Sequence, residues 1–260
     1  MEKESKGVAR LMNIREEDIR KRICLALDVD NLDLAKELVE ESYGYVGVYK
    51  IGKELFVSEG TSSIKIPQSF DRDVFLDLKF HDIPNTVEGA SKALVKHKVK
   101  MFTIHSMGGK EMIRAAVRGV NSGVKYYGNI RPNILGVTIL TSHDEESLKD
   151  ILIDKPLDYA LVQYAKIASE NGCDGIVCSP NDINIIRPHL DKEMIYVTPG
   201  VRLRDDKVSD QKRICTPEEA IISGSSVIVI GRSILNSNNK TEIIKKIYNE
   251  VEKGLKLSKC

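Results

Sequence analysis

The stretch VFLDLKFHDIPNT, residues 74–86, sets a carboxylate at Asp77, an ammonium at Lys79 and a second carboxylate at Asp82. Side chains alternate along an extended strand, so Asp77 and Lys79 share one face. Val74, Leu76, Leu78 and Phe80 share the other, which suits a covering layer of helices. Pro84 signals that the strand is over, and Asp82 falls just beyond its end. Three charges in and beside an apolar strand are costly to desolvate unless they pair or act on a ligand. The chemistry open to such a set is acid–base and electrostatic. A plain ion pair at a strand end is the alternative. The apolar strand interior and the shaped loop Asp-Ile-Pro-Asn-Thr favour a site.

A frame has to position these groups. The chain has 260 residues and 42% hydrophobic content, enough for one sizeable core and close to the size of a (β/α)8 barrel. Strand-like runs are expected at 23–29, 46–51, 74–79, 101–105, 134–140, 175–179, 195–198 and 227–230. Helix-like stretches are expected at 31–42, 53–60, 84–97, 108–121, 157–172, 181–189, 216–223 and 240–256. Eight βα units without a composition break argue for a single TIM barrel. The competing doubly wound sheet needs a Gly-rich turn after its first strand, where Asp28-Val-Asp-Asn stands instead. We divide the chain into an N-terminal arm (1–21), the barrel (22–256) and a C-terminal tail (257–260). Leu11, Ile14 and Ile19 would put one side of a short arm helix against the barrel floor.

Composition narrows the function classes. Net charge is +1, with 39 basic and 38 acidic residues, which is no footprint for nucleic acid or a membrane surface. The five cysteines, Cys24, Cys173, Cys178, Cys215 and Cys260, are scattered and form no C-x-x-C, so incidental thiols in a reducing compartment are expected. The charged N-terminus lacks the apolar core of a secretory signal, and no stretch approaches a membrane span. A cytoplasmic protein is the expectation.

Chemistry in a barrel of this kind sits at the carboxyl ends of the strands. Those positions carry Asp28, Lys50, Asp77 with Lys79, His105, Thr141, Ser179, Thr198-Pro-Gly-Val-Arg202 and Gly231-Arg232 in chain order. Loops after the last two strands often grip phosphate. Gly231 would allow close backbone approach, and Arg202 and Arg232 supply forked donors for phosphate oxygens. Gln211, in the polar loop 203–213, would close over the ligand.

FLDLKFHDIPNT, with ALD and KIGKELF before it and VTPGVR and VIGRS after it, resembles the orotidine 5'-phosphate decarboxylase family, the shorter bacterial type in particular. The likeness runs from about Arg22 to the last helix. It implies that Lys79 donates a proton to C6 of the pyrimidine and that Asp77 lies against the departing carboxylate. Lys50 and Asp82 would complete an alternating Lys–Asp–Lys–Asp array. It further implies that Asp28 and Lys50 bind ribose hydroxyls, that the backbone at Thr141 recognises the ring, and that Pro199 lines the base pocket. Arg202, Gln211, Gly231 and Arg232 would hold the phosphate. Asp82 and Thr86 would reach into the site of a second subunit, making a homodimer obligatory. No cofactor and no metal are implied.

The implied chemistry suits the residue types. Loss of CO2 from C6 leaves a carbanion in the ring plane, beyond reach of the π system, so its charge must be met electrostatically. Burial alone would discharge a lysine, and flanking carboxylates offset this. His105 is expected as a hydrogen-bonded rim residue, and His81 as a packing or interface residue. The two histidines have no metal-ligand spacing. Glu242, Lys246, Glu250 and Lys253 recur at helical spacing and read as a solvated face. Two rivals stand: a metal-dependent enzyme acting on a keto-sugar phosphate, which needs a further acidic ligand, and a non-catalytic phosphate-ligand binder.

Overall fold

The computed structural model describes residues 14–191, 193–204 and 215–258. Its strands are β1 (Ile23–Ala26), β2 (Val48–Ile51), β3 (Asp73–Phe80), β4 (Met101–His105), β5 (Asn133–Val137), β6 (Gly175–Val177), β7 (Ile195–Thr198) and β8 (Val227–Ile230). Each pairs in parallel with the next, and β1 pairs with β8, so the sheet closes into the expected barrel. Parallel strands buried on both faces read as near-continuous apolar runs, and ICLA in β1 and VIVI in β8 are such runs. The interior face packs Cys24, Ala26, Val48, Phe75, Met101, Leu135, Val197, Val227 and Val229 on one another. The outward face joins the helices in a larger core that includes Leu25, Tyr49, Leu76, Phe102 and Ile228.

The helices are α1 (Glu16–Arg20), α2 (Leu32–Ser42), α3 (Lys53–Glu59), α4 (Ser62–Ser69), α5 (Pro84–Leu94), α6 (Gly109–Tyr127), α7 (Ser147–Asp150) and α8 (Leu157–Glu170). Beyond β6 follow α9 (Ile183–Ile186), α10 (Pro217–Ile222), α11 (Arg232–Leu235) and α12 (Lys240–Leu257). Helix α1 buries Ile19 and leads into the N-terminal end of β1, with Ile14 against the same core. Leu11 lies outside the described residues.

Several boundaries differ from the pattern reading. Strands β1, β5 and β6 end at Ala26, Val137 and Val177 instead of 29, 140 and 179, because the following residues turn into the loops of the mouth. The stretch after β2 holds two helices: Gly60, at φ +57°, closes α3, and α4 then packs on α2. Its β-branched and Pro-containing sequence SSIKIPQS hides it from propensity, and burial of Ser63, Ile64 and Pro67 stabilises it. Helix α6 runs beyond 121 to Tyr127 and ends at Gly128, φ +69°. It packs so closely on α5 that a Cβ at Gly119 would fall 2.2 Å from the Glu88 carbonyl oxygen.

The last helix corrects one expectation. Glu242 and Lys246 do pair at 2.9 Å across an exposed turn of α12. Glu250, however, is half-buried with Oε2 lacking a hydrogen-bond partner among the described residues, and burial holds its carboxyl above the usual range despite a bond to the Glu218 backbone. The reason is that α10 packs over that turn of α12, which periodicity within one helix cannot reveal. Among the described residues no helix is long and apolar enough to cross a membrane. Cys24, Cys173, Cys178 and Cys215 are buried and form no disulfide among the described residues, and burial pushes the Cys215 thiol up to about 12.

Candidate active site

The charged set lies at the C-terminal mouth of β1, β2 and β3. Interior parity puts Phe75, Asp77 and Lys79 on one side of β3, with Phe75 in the barrel's inner core. The strand is not regular there. Pairing with β4 steps from Leu76↔Phe102 to Phe80↔Ile104, four residues of β3 against two of β4. Two extra residues form a bulge, and an even number preserves parity. Lys79 takes the left-handed conformation within it, φ +54°, which is rare for a residue with a long side chain.

Lys79 Nζ donates to both Asp77 oxygens at 2.8 Å. Thr103 Oγ1, from β4, donates to Asp77 Oδ1 at 2.9 Å and accepts the Lys79 amide proton at 2.9 Å. Lys50 Nζ donates to Asp28 Oδ1 at 2.8 Å and stands 3.9 Å from Asp77 Oδ2. The order Asp28, Lys50, Asp77, Lys79 therefore alternates in sign across three adjacent strands. Burial works against the Asp77 carboxylate, but Lys79, then Lys50, and bonds from Lys79 and Thr103 hold its pKa below the usual range. Burial likewise works against the Lys50 ammonium, and Asp28 followed by Asp77 raise its pKa in spite of it.

Lys50, Asp77 and Lys79 open onto a cavity of about 270 Å³. Lys50, Asp77, Lys79, Thr141 and Pro199 face it together with Phe75, Val137, Ile139, Val177, Cys178 and Val197. One end is charged and the walls are apolar, a form suited to a flat heterocycle with a polar reacting edge. Asp28 joins through Lys50 and itself lines a neighbouring groove with Arg232. Arg202 is buried, and its amide donates to the Cys215 carbonyl at 3.0 Å. Gly231 lies close against β1, where a Cβ would meet that of Ala26 at 3.2 Å. Arg232 opens α11, is exposed, and does not line the 270 Å³ cavity. Gln211 and most of the loop 203–213 lie outside the described residues.

Asp82 and Thr86 are exposed on the rim, within an exposed run from His81 to Thr86. Asp82 Oδ1 accepts from the Ile83 amide at 2.6 Å, and Asp82 forms no ion pair with Lys79 of its own chain. His105 departs from expectation. Its Nδ1 is buried with no hydrogen-bond partner among the described residues, and its ring packs on His81 at 5.4 Å. Burial, then His81, Lys79 and Lys53, pull it down to about 4, so the ring is neutral near pH 7. Among the described residues no group of three His, Cys, Asp or Glu is placed to hold a metal ion.

Thr103 is the functional-site residue that the sequence reading missed. The signal was present: a lone hydroxyl between apolar neighbours in MFTIH, at the inward parity of Met101 and His105. The profile of the orotidine 5'-phosphate decarboxylase / HUMPS family matches residues 21–247. An orotidine 5'-phosphate decarboxylase of Trichlorobacter lovleyi is 40% identical over 92% of this chain and 98% of its own length. One from Syntrophotalea carbinolica is 39% identical over the same shares. The crystal structure of orotidine 5'-phosphate decarboxylase from Lactobacillus acidophilus superposes with a TM-score of 0.76 at 32% identity, covering 89% of this chain and 99% of that one.

Proposed function

Since this chain belongs to the orotidine 5'-phosphate decarboxylase / HUMPS family, we propose that it converts orotidine 5'-phosphate to UMP and CO2 without a cofactor, the last step of de novo pyrimidine nucleotide synthesis. The observation that carries the reading is the alternating Asp28, Lys50, Asp77, Lys79 chain beside an apolar-walled cavity of about 270 Å³. The catalytic unit is taken as residues 22–256.

In this reading the ring enters between the apolar walls, with Pro199 beside it and the backbone at Thr141 on its polar edge. Asp28 and Lys50 take the ribose hydroxyls. The phosphate lies beyond the ends of β7 and β8, where Arg202 and Gly231-Arg232 follow directly paired strands and Gln211 closes the grip. Binding energy spent there, far from C6, orients the reacting carbon.

The C6–CO2 bond breaks and its electron pair stays on C6, in the ring plane. The Lys79 ammonium neutralises that charge as it grows and then transfers one proton to C6, leaving a neutral amine that solvent reprotonates. Asp77 keeps Lys79 in line and lies against the departing carboxylate; its repulsion of that group is the lesser contribution. A partner subunit's copies of Asp82 and Thr86 complete the array, and the exposed run 81–86, with Ile83 66% exposed, supports a second copy seated at the mouth. Buried cysteines scattered through the core, with no disulfide among the described residues, suit a reducing compartment such as the cytoplasm.

The test is loss of the ultraviolet absorbance of orotidine 5'-phosphate on mixing with purified protein and a chelator. Turnover is expected. No turnover, with chelator-sensitive activity on a keto-sugar phosphate acid, would replace this reading with its metal-dependent rival.

A further inference from the structure

Thr103 is 1% exposed and sits on β4 beside the distorted half of β3. The ladder passes from Leu76↔Phe102 to Phe80↔Ile104, so pairing supplies no carbonyl for the Lys79 amide between them. Thr103 Oγ1 takes that amide proton at 2.9 Å and gives its own proton to Asp77 Oδ1, also at 2.9 Å. The directions follow from chemistry: an amide can only donate, and an ionised carboxylate can only accept. One hydroxyl thus uses both its roles, on the two residues whose side chains meet at 2.8 Å. Thr103 itself does not line the cavity. A valine would fill the same volume without a buried hydroxyl, so packing alone does not account for the residue.

We propose that Thr103 is a positioning residue: its hydroxyl clamps the left-handed backbone of Lys79 and the carboxylate of Asp77 together, setting the line along which Nζ meets the reacting carbon. This rests on the decarboxylase reading. Lys79 needs such a clamp because φ +54° is a sparsely populated conformation for it, and a relaxed backbone would swing the ammonium away from C6. A displacement of about 1 Å at a reacting group costs up to ~10²-fold in rate.

The experiment compares kcat and KM for orotidine 5'-phosphate in the wild type, Thr103→Val, Thr103→Ala and Thr103→Ser, with thermal melts of each. Both variants without the hydroxyl are expected to lose ~10- to 10²-fold in kcat with KM within about threefold of wild type. Thr103→Ser is expected to restore kcat to within about threefold. Two deletions are used so that one misfolded variant does not end the test. Wild-type kcat in a folded variant lacking the hydroxyl overturns the inference, as does an effect confined to KM or a Ser variant as slow as Val. An inactive wild type would instead remove the reading on which the inference stands, so it is assayed first.

Discussion

Lys79→Ala is the perturbation that separates a reacting ammonium from a structural ion pair. With Nζ at about 3.5 Å from C6 and an effective dielectric of about 20, the attraction between ammonium and carbanion is roughly 5 kcal/mol. That alone is worth about 10³- to 10⁴-fold in rate. Losing the proton donor removes a further ~10²- to 10⁴-fold. The expected fall in kcat is therefore about 10⁵-fold or more. Stability should change little by comparison: Asp77 keeps the Thr103 hydroxyl at 2.9 Å and Lys50 at 3.9 Å, so its carboxylate is not left alone. The assay follows substrate absorbance with enzyme in excess over hours, beside a thermal melt and a titration with UMP to verify the fold and the pocket. Turnover within tenfold of wild type by a folded, UMP-binding variant would refute Lys79 as the group that meets C6.

Four further outcomes are expected. Arg232→Ala should raise KM by ~10- to 10²-fold with a smaller change in kcat, read by steady-state kinetics, if its guanidinium grips phosphate. Lys79→Ala and Asp82→Ala proteins, each inactive alone, should regain about a quarter of wild-type activity when unfolded, mixed and refolded, because random pairing leaves one intact site in half of the dimers; no recovery would count against a site shared between subunits. Asp77 has a lowered pKa in the fold, so its stabilisation is complete above the ordinary carboxylate value near 4 and is lost as pH falls through the folded value. Denaturant titrations from pH 6 to 2.5 should thus show the wild type losing stability more steeply than Asp77→Asn. Gly119→Ala should cost ~2–3 kcal/mol in the same titration at neutral pH, since its Cβ would fall 2.2 Å from the Glu88 carbonyl oxygen.

The surroundings of His105 at the barrel mouth and of Glu250 on α12 come from elements other than their own. Parity on β4 and spacing on α12 describe only the element that carries each residue. Their environments are set elsewhere: by His81, Lys79 and Lys53 around the His105 ring, and by Glu218 and Glu219 of α10 around Glu250. Helix α4 was hidden for a related reason, because its stability comes from packing on α2 and not from its own residues.

By itself the sequence determined the alternation of apolar runs with amphipathic stretches, hence a parallel barrel, and the shared face of Asp77 and Lys79. These properties depend on periods of two and 3.6 residues within short consecutive segments, which the chain writes out directly. Tertiary structure alone decided that Lys50 bonds Asp28 and also approaches Asp77, that β3 gains two residues against β4, and that Thr103 takes up the slack at Lys79. Those outcomes depend on the register in which separate strands meet when the barrel closes, and register is a property of the whole ring of pairings and not of any one strand.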